Sequence, residues 1–433
     1  MSATPSATPP GSVQRIEPLQ RPPEATVAVP GSKSLTNRAL VAAGLARGTS
    51  TLSGVLDADD TRAMVDGLTA LGITVRWQDA TTCTVLGVGG APPVAAPHLD
   101  VRLSGTTARF LAPLLALLPG PSVLDAAAPF RRRPMGPAIA ALRSLGCTVT
   151  EQGETGHLPI TVTGGPVDGG AVEVAGDASS QFLSGLLLAA PAFPTGLTVR
   201  LTTDLVSEPY VDMTAQVLAR FGAVLERPDA RTFVAAGTGY RAGGFAVEPD
   251  ASAASYLLAA AAITGGRVRI PGLTRDVVQG DAGFAHVLAR MGAEVVVDDH
   301  GTEVRGTGVL HGIEVDLGPM SDTAQTLAAV AVFADSPTRI TGIGFIRAKE
   351  TDRIAAVVTE LRRLGIDARE EPDGMVIRPG TPRPGTVGTY HDHRMAMSFA
   401  LLGLRVPGIA IADPGCVAKT FPTYFQVLEQ LRR

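Results

Sequence analysis

A hydrophobic residue followed by glycine recurs five times, at Leu71-Gly72, Leu145-Gly146, Phe221-Gly222, Met291-Gly292 and Leu364-Gly365. The glycines stand 74, 76, 70 and 73 residues apart, and a fixed period of this kind marks a chain built from copies of one unit. Glycine in that place fits a helix C-terminus in the left-handed conformation. Val427-Leu428-Glu429-Gln430-Leu431 aligns with Val217-Leu218-Ala219-Arg220-Phe221, which adds a sixth copy cut off at its end.

Each unit also holds an earlier helix opened by small polar residues. The openings are Ser32-Lys33-Ser34, Ser104-Gly105-Thr106-Thr107, Ser179-Ser180-Gln181, Asp250-Ala251-Ser252, Asp322-Thr323-Ala324-Gln325 and Asp392-His393-Arg394. An Ala/Leu-rich helix follows each, then a Gly or Pro turn and a short strand. Helices this apolar are predicted to be buried, with sheets around them. Units one to three fill about residues 31–247 and units four to six about 248–433, so the chain reads as two pseudo-threefold α/β domains.

Helix N-termini attract anions through unpaired N–H groups and the positive dipole end. Each terminus adds ~0.3–1 kcal/mol, less than the ~1.5–3 kcal/mol of a charged hydrogen bond. Binding should therefore rest on the cations at the openings: Lys33, Arg38, Arg109, Arg131-Arg132-Arg133, Lys349, Arg353, Arg394 and Lys419. Each cation taken singly reads equally well as a surface charge. The net charge of −4 supplies no general basic field for nucleic acid or membrane, so any anion site is local. Val29-Pro30-Gly31-Ser32-Lys33 is no Walker loop, because Val27 stands where that motif needs glycine.

Several residues keep two readings at this stage. Asp322 and Glu350 are either ordinary helix-start residues or proton carriers beside cations. Lys349 and Arg353 are four apart, which predicts a shared helix face. His391-Asp392-His393 has metal-like spacing, but no Cys or His cluster supports it, and anion binding by Arg394 is the preferred reading. Cys83, Cys147 and Cys416 are far apart and odd in number, which argues against disulfides and for a reducing, cytoplasmic setting. Residues 1–12 read as a disordered tail, and no apolar run is long enough to span a membrane.

Four motifs then carry a resemblance: Pro-Gly-Ser-Lys-Ser-x-x-Asn-Arg, Lys-Glu-Thr-Asp-Arg, Asp-His-Arg-Met-Ala-Met (Asp392–Met397) and Ala-Lys-Thr-Phe-Pro (Ala418–Pro422). In this order they are similar to the signature of the 5-enolpyruvylshikimate-3-phosphate synthase family. The resemblance implies two inside-out α/β barrel domains, each of three βαβαββ-like repeats, with a cleft between them. It places residues 13–30 with 248–433 and leaves 31–247 as the other domain. It implies transfer of the enolpyruvyl group of phosphoenolpyruvate to the 5-hydroxyl of shikimate 3-phosphate by a monomer, with no cofactor or metal, on closure of the two domains.

Carried over residue by residue, the resemblance assigns Lys33, Ser34, Arg38, Ser179, Ser180, Gln181, Ser207, Asp322 and Lys349 to shikimate 3-phosphate, with Tyr210 a weaker member. It assigns Lys33, Gly105, Arg131, Gln181, Arg353, Arg394 and Lys419 to phosphoenolpyruvate. Asp322 resembles the base at the 5-hydroxyl, Glu350 the acid that protonates the methylene, and Lys33 is the third catalytic residue. Some positions depart from the pattern. Leu103 and Phe345 stand where Asn is frequent, and the arginine loop is shifted, so that Arg131 is taken ahead of Arg132. Gly105 suggests sensitivity to glyphosate, the family's phosphoenolpyruvate-competitive inhibitor. The alternatives are the related transferase acting on UDP-N-acetylglucosamine, which often uses a loop Cys absent near Arg131–Arg133, and a non-catalytic repeat scaffold.

Overall fold

Two helices per repeat carry the fold in the computed structural model, which describes residues 11–165 and 167–432. The chain divides into two compact units. Gly31–Val247 forms one, and the chain on either side of it, up to Pro30 and from Glu248, forms the other. In the first unit the helices are α1 (Lys33–Leu45), α2 (Asp59–Ala70), α3 (Gly105–Leu111), α4 (Gly136–Ser144), α5 (Ser180–Ala189) and α6 (Pro209–Arg220). In the second they are α7 (Ala251–Thr264), α8 (Phe284–Arg290), α9 (Ala324–Ala331), α10 (Arg353–Arg363), α11 (His393–Gly403) and α12 (Tyr424–Gln430).

The odd-numbered helices form the interior. In α7 every residue from Ala251 to Ile263 is buried, and α5, α9 and α11 are nearly as enclosed. A helix apolar all round must be covered on all sides. Here α1, α3 and α5 pack on one another in one unit, and α7, α9 and α11 in the other. A short hydroxyl chain runs through the second trio: Ser255 Oγ lies 3.1 Å from Thr326 Oγ1, which lies 3.4 Å from Ser398 Oγ. Each buried hydroxyl thereby meets a polar partner on the neighbouring helix.

Three sheets wrap each trio, all on one plan. Thr338–Thr341, for example, pairs parallel with Glu314–Asp316 and antiparallel with Gly374–Ile377, which pairs in turn with Ala368–Glu371. In the first unit the ring closes because Tyr240–Arg241 and Gly244–Ala246 return as parallel neighbours of Ala46–Ser53. In the second, the N-terminal segment supplies the missing strands. Glu24–Thr26 joins Arg267–Pro271 in parallel, and Val13–Arg15 joins Ile409–Ala412 antiparallel. Val13–Arg15 thus stands in the sixth sheet where a hairpin strand stands in the other five.

The strand Glu24–Thr26 is followed by one further bond, from Val27 N–H to the Arg269 carbonyl at 2.9 Å. Of the tail expected over residues 1–12, residues 1–10 lie outside the described residues. Gly11 is already tied down, its N–H donating to Asp413 Oδ1 at 3.2 Å.

All five recurring glycines have left-handed backbones, with φ of +83° at Gly72, +92° at Gly146, +78° at Gly222, +108° at Gly292 and +86° at Gly365. A Cβ on Gly146 would meet nothing within 4 Å, whereas one on Gly72 would stand 2.9 Å from Val94. Gly146→Ala should therefore cost only the conformational ~1–2 kcal/mol, and Gly72→Ala more. Denaturant unfolding of both variants checks the order, and equal losses would contradict the steric part.

Candidate active site

Five of the six helix openings are N-caps made by a side chain. Ser32, Ser104, Ser179, Asp250 and Asp392 each accept a hydrogen bond from a backbone N–H of the helix they begin. The sixth differs. Asp322 lies in a 3-10 turn before α9, and no side chain caps that helix. Its carboxylate goes to two arginines instead, which removes the plain capping reading.

In the unit 31–247, Lys33 opens α1 and its Nζ stands 3.6 Å from Asp60 Oδ2 at the start of α2. Ser34 contributes its carbonyl to Arg38 Nη1 at 2.9 Å. Arg38 is wholly buried. It donates further to Thr214 Oγ1 at 2.8 Å, Ser184 Oγ at 3.2 Å and the Tyr210 carbonyl at 2.9 Å. Its guanidinium lies 5.0 Å from the Phe110 ring centroid, and burial pushes its pKa down to about 10. Arg38 thus ties α1 to α5 and α6. Ser207, with a left-handed φ of +53°, begins the turn into α6.

Gln181, one residue into α5, accepts from Arg109 Nη1 at 2.8 Å and donates to Thr106 Oγ1 at 3.3 Å. Ser179 and Ser180 are buried beside it. Gly105 leaves room for two cations: a Cβ there would be 3.0 Å from Arg133 Nη1 and 3.1 Å from Arg109 Nη1. Arg109 lies over Phe182 at 4.8 Å and Arg133 over Phe130 at 5.0 Å.

Arg131 does not belong to this group. It is half exposed and paired with Asp125, Nη2 to Oδ2 at 2.8 Å. The single helical turn Ala128–Arg131 sends it outward, while Arg133, three residues after the buried Phe130, returns inward. That i to i+3 spacing was the available signal for Arg133, and the run of three arginines hid it.

The other unit holds a denser set. Arg353, 2% exposed, donates Nε to Asp392 Oδ2 at 2.8 Å, Nη1 to Asp322 Oδ1 at 2.9 Å and Nη2 to Glu350 Oε2 at 2.8 Å. Burial alone would lower its pKa, but the charges of Asp392, Glu350 and Asp322 outweigh burial and raise it. Asp322 Oδ2 also accepts from Arg394 Nη2 at 2.5 Å. Arg394 reaches Tyr256 Oη at 3.3 Å and Ser252 Oγ at 3.5 Å, and Lys419 Nζ stands 3.8 Å from Glu350 Oε1. Burial pushes the Tyr256 hydroxyl up to about 12, against the pull of Arg394.

Lys349 and Arg353 do not share a helix face. Lys349 follows the 3-10 turn Gly344–Ala348, Asp352 caps α10, and only Arg353 is helical. Lys349 Nζ stands 5.9 Å from the Phe345 ring centroid, so the residue where Asn is frequent supplies an aromatic face instead. Among the described residues no group of three or more His, Cys, Asp or Glu side chains is arranged to hold a metal ion.

Sequence reading missed Asp281. It is buried, accepts from Ser252 Oγ, and its pKa is pushed up to about 7 by burial and by the charge of Asp322, with Arg394 opposing. The folded state thus keeps a proton that the unfolded chain releases near an ordinary Asp pKa of ~3.9. Stability contributed by neutral Asp281 is lost as pH rises from about 4 toward 7. Asp281→Asn should flatten the fall in unfolding temperature across that window. A wild-type slope retained in the variant would contradict it.

Two α/β units of three repeats each, with cations and buried carboxylates at the helix openings, suit an enzyme acting on small anionic substrates. Residues 19–428 match the family profile described as EPSP synthase (3-phosphoshikimate 1-carboxyvinyltransferase). The 3-phosphoshikimate 1-carboxyvinyltransferase of Nostoc punctiforme is 47% identical over 421 residues, 96% of this chain and 99% of that protein. The enzyme of the same name from Photobacterium profundum is 43% identical over 410 residues, 94% and 96% respectively. Among solved structures, EPSP synthase from Acinetobacter baumannii matches with a TM-score of 0.82 and 27% identity, covering 97% of this chain and 98% of its own. The enolpyruvyl transferase NikO from Streptomyces tendae, at 20% identity and a TM-score of 0.77, shares the fold.

The chain belongs to the EPSP synthase family. It transfers the enolpyruvyl group of phosphoenolpyruvate to the 5-hydroxyl of shikimate 3-phosphate, releasing phosphate, in the shikimate pathway.

Proposed function

We propose that the unit 31–247 supplies shikimate 3-phosphate binding through Lys33, Ser34, Ser179, Ser180, Gln181 and Ser207, with Arg38 bracing the helices that carry them. In this reading Gly105, Arg109 and Arg133 hold an anionic group of phosphoenolpyruvate, with Arg133 in the part first given to Arg131. In the other unit, Arg353, Arg394 and Lys419 take the remaining charges of phosphoenolpyruvate, and Lys349 a group of shikimate 3-phosphate. The observation that carries the reading is Arg353, whose guanidinium binds Asp322 and Glu350 together at 2.9 and 2.8 Å.

Glu350 protonates C3 of phosphoenolpyruvate, and C2 gains cationic character. The 5-hydroxyl adds to C2 while Asp322 accepts its proton, giving a tetrahedral phosphate ketal. Loss of a proton from C3 and of phosphate from C2 then yields the enol ether. An acid and a base placed this way each contribute ~10²–10⁴-fold. The reading also makes the protein a monomer and places it in a reducing cytoplasm, which its three widely separated free cysteines suit. No helix among the described residues is long and apolar enough to cross a membrane.

Phosphate release with each acceptor tests the assignment: turnover is expected with shikimate 3-phosphate and absent with UDP-N-acetylglucosamine. Glu350→Gln should lower kcat by ~10²–10⁴-fold with KM nearly unchanged, and unchanged turnover would remove its acid role. Arg133→Ala should raise KM for phosphoenolpyruvate by ~10-fold or more, the worth of one charged hydrogen bond. Arg131→Ala should leave it near wild type, and the reverse order would restore Arg131.

A further inference from the structure

Glu360 is a buried carboxylate that the reaction does not use. It lies on α10, two turns after Arg353, and is 1% exposed. Its Oε2 accepts the Gly388 N–H at 3.0 Å, and its Oε1 accepts the Tyr390 hydroxyl and Arg363 Nη1, each at 2.8 Å. Gly388 and Tyr390 belong to the five-residue loop between the strand Gly385–Val387 and α11. In that loop Tyr390 and His391 both have left-handed backbones, φ +55° and +57°. Two such residues in succession, neither of them glycine, are strained and persist only where their surroundings hold them.

The strained pair leads directly into Asp392. Asp392 is fully buried, and its N–H closes a turn on the Thr389 carbonyl at 2.8 Å. One of its oxygens receives Arg353 Nε, and the other caps α11 at the Arg394 N–H, each at 2.8 Å. Helix α10 therefore grips this loop twice, through Arg353 at its start and through Glu360 further along. A buried carboxylate with hydrogen bonds is weak evidence for stability, since an apolar residue of similar volume often serves as well. A fixed loop conformation is what it secures.

We propose that Glu360 and Tyr390 are positioning residues for the reaction. Their latch holds the 388–391 loop so that Asp392 aims Arg353 and Arg394 at phosphoenolpyruvate. The inference rests on the proposed roles of those two arginines.

Steady-state kinetics of Tyr390→Phe, Glu360→Gln and the double variant test it. Each single change weakens one arm, so KM for phosphoenolpyruvate should rise about five- to tenfold. KM for shikimate 3-phosphate and kcat should stay within about twofold, and the double variant should be little worse than either single one, since the two act as a unit. Unfolding temperatures should match wild type. Tyr390→Phe carries the test alone if Glu360→Gln does not fold, because it removes only a hydroxyl from a side chain that is 41% exposed. Wild-type KM in the variants overturns the latch, as does a loss shared equally by both substrates or one that tracks a lowered unfolding temperature. Failure of the wild-type enzyme to turn over would instead overturn the functional reading.

Discussion

The Arg353 guanidinium, enclosed with Asp322, Glu350 and Asp392 around it, is the interaction on which the rest of this unit depends. Removing one charge from water costs several kcal/mol even after relaxation, and a buried arginine does not shed its proton. Here three carboxylates come to the buried cation. Each of the three arrives from a different element: the turn before α9, the approach to α10 and the loop before α11. One side chain thereby fixes the mutual positions of a candidate acid, a candidate base and a helix cap. Arg38 is just as enclosed in the other unit, but its partners are hydroxyls and carbonyls rather than carboxylates. That difference separates a brace from a centre that can handle protons.

The repeat explains why such residues gather at the helix openings. A helix enclosed by two others and three sheets has an apolar body, so polar side chains are tolerated only at its end. The caps occupy that end first, as Ser32, Ser104, Ser179, Asp250 and Asp392 do. Where the cap is lacking, as at Asp322, the carboxylate is released for other partners. All three lysines of the chain, Lys33, Lys349 and Lys419, fall among the site residues. A flexible, strongly hydrated cation serves the enclosed interior poorly, and elsewhere arginine carries nearly all of the positive charge.

Most of the architecture was legible because period, capping and burial are local signals. Gly72, Gly146, Gly222, Gly292 and Gly365 announced their left-handed backbones, and the polar openings with the apolar runs behind them announced the inner helices. What sequence could not resolve were phases inside short irregular turns. Arg131 and Arg133 differ by half a turn, and only the packing of Phe130 decides which faces inward. Lys349 and Arg353 satisfy the i to i+4 rule, but Asp352 starts the helix between them. Asp281 gave no signal, since Ser252 stands 29 residues before it and Asp322 and Arg394 open other repeats. Nor could spacing reveal that Val13–Arg15 completes the sixth repeat, a pairing that spans nearly the whole chain.

The same ion pairs that hold the second unit together also bear on its chemistry. Glu350 faces Arg353 and Lys419, at 2.8 and 3.8 Å. In the proposed reading, the carboxylate and phosphate of phosphoenolpyruvate compete for the cations that Glu350 and Asp322 engage. Under the proposed roles, a substrate anion that engages those cations frees Glu350 and Asp322 from them, so that acid and base are readied by the substrate they act on. In the proposed latch, the loop before α11 keeps the arginines in place while their partners change.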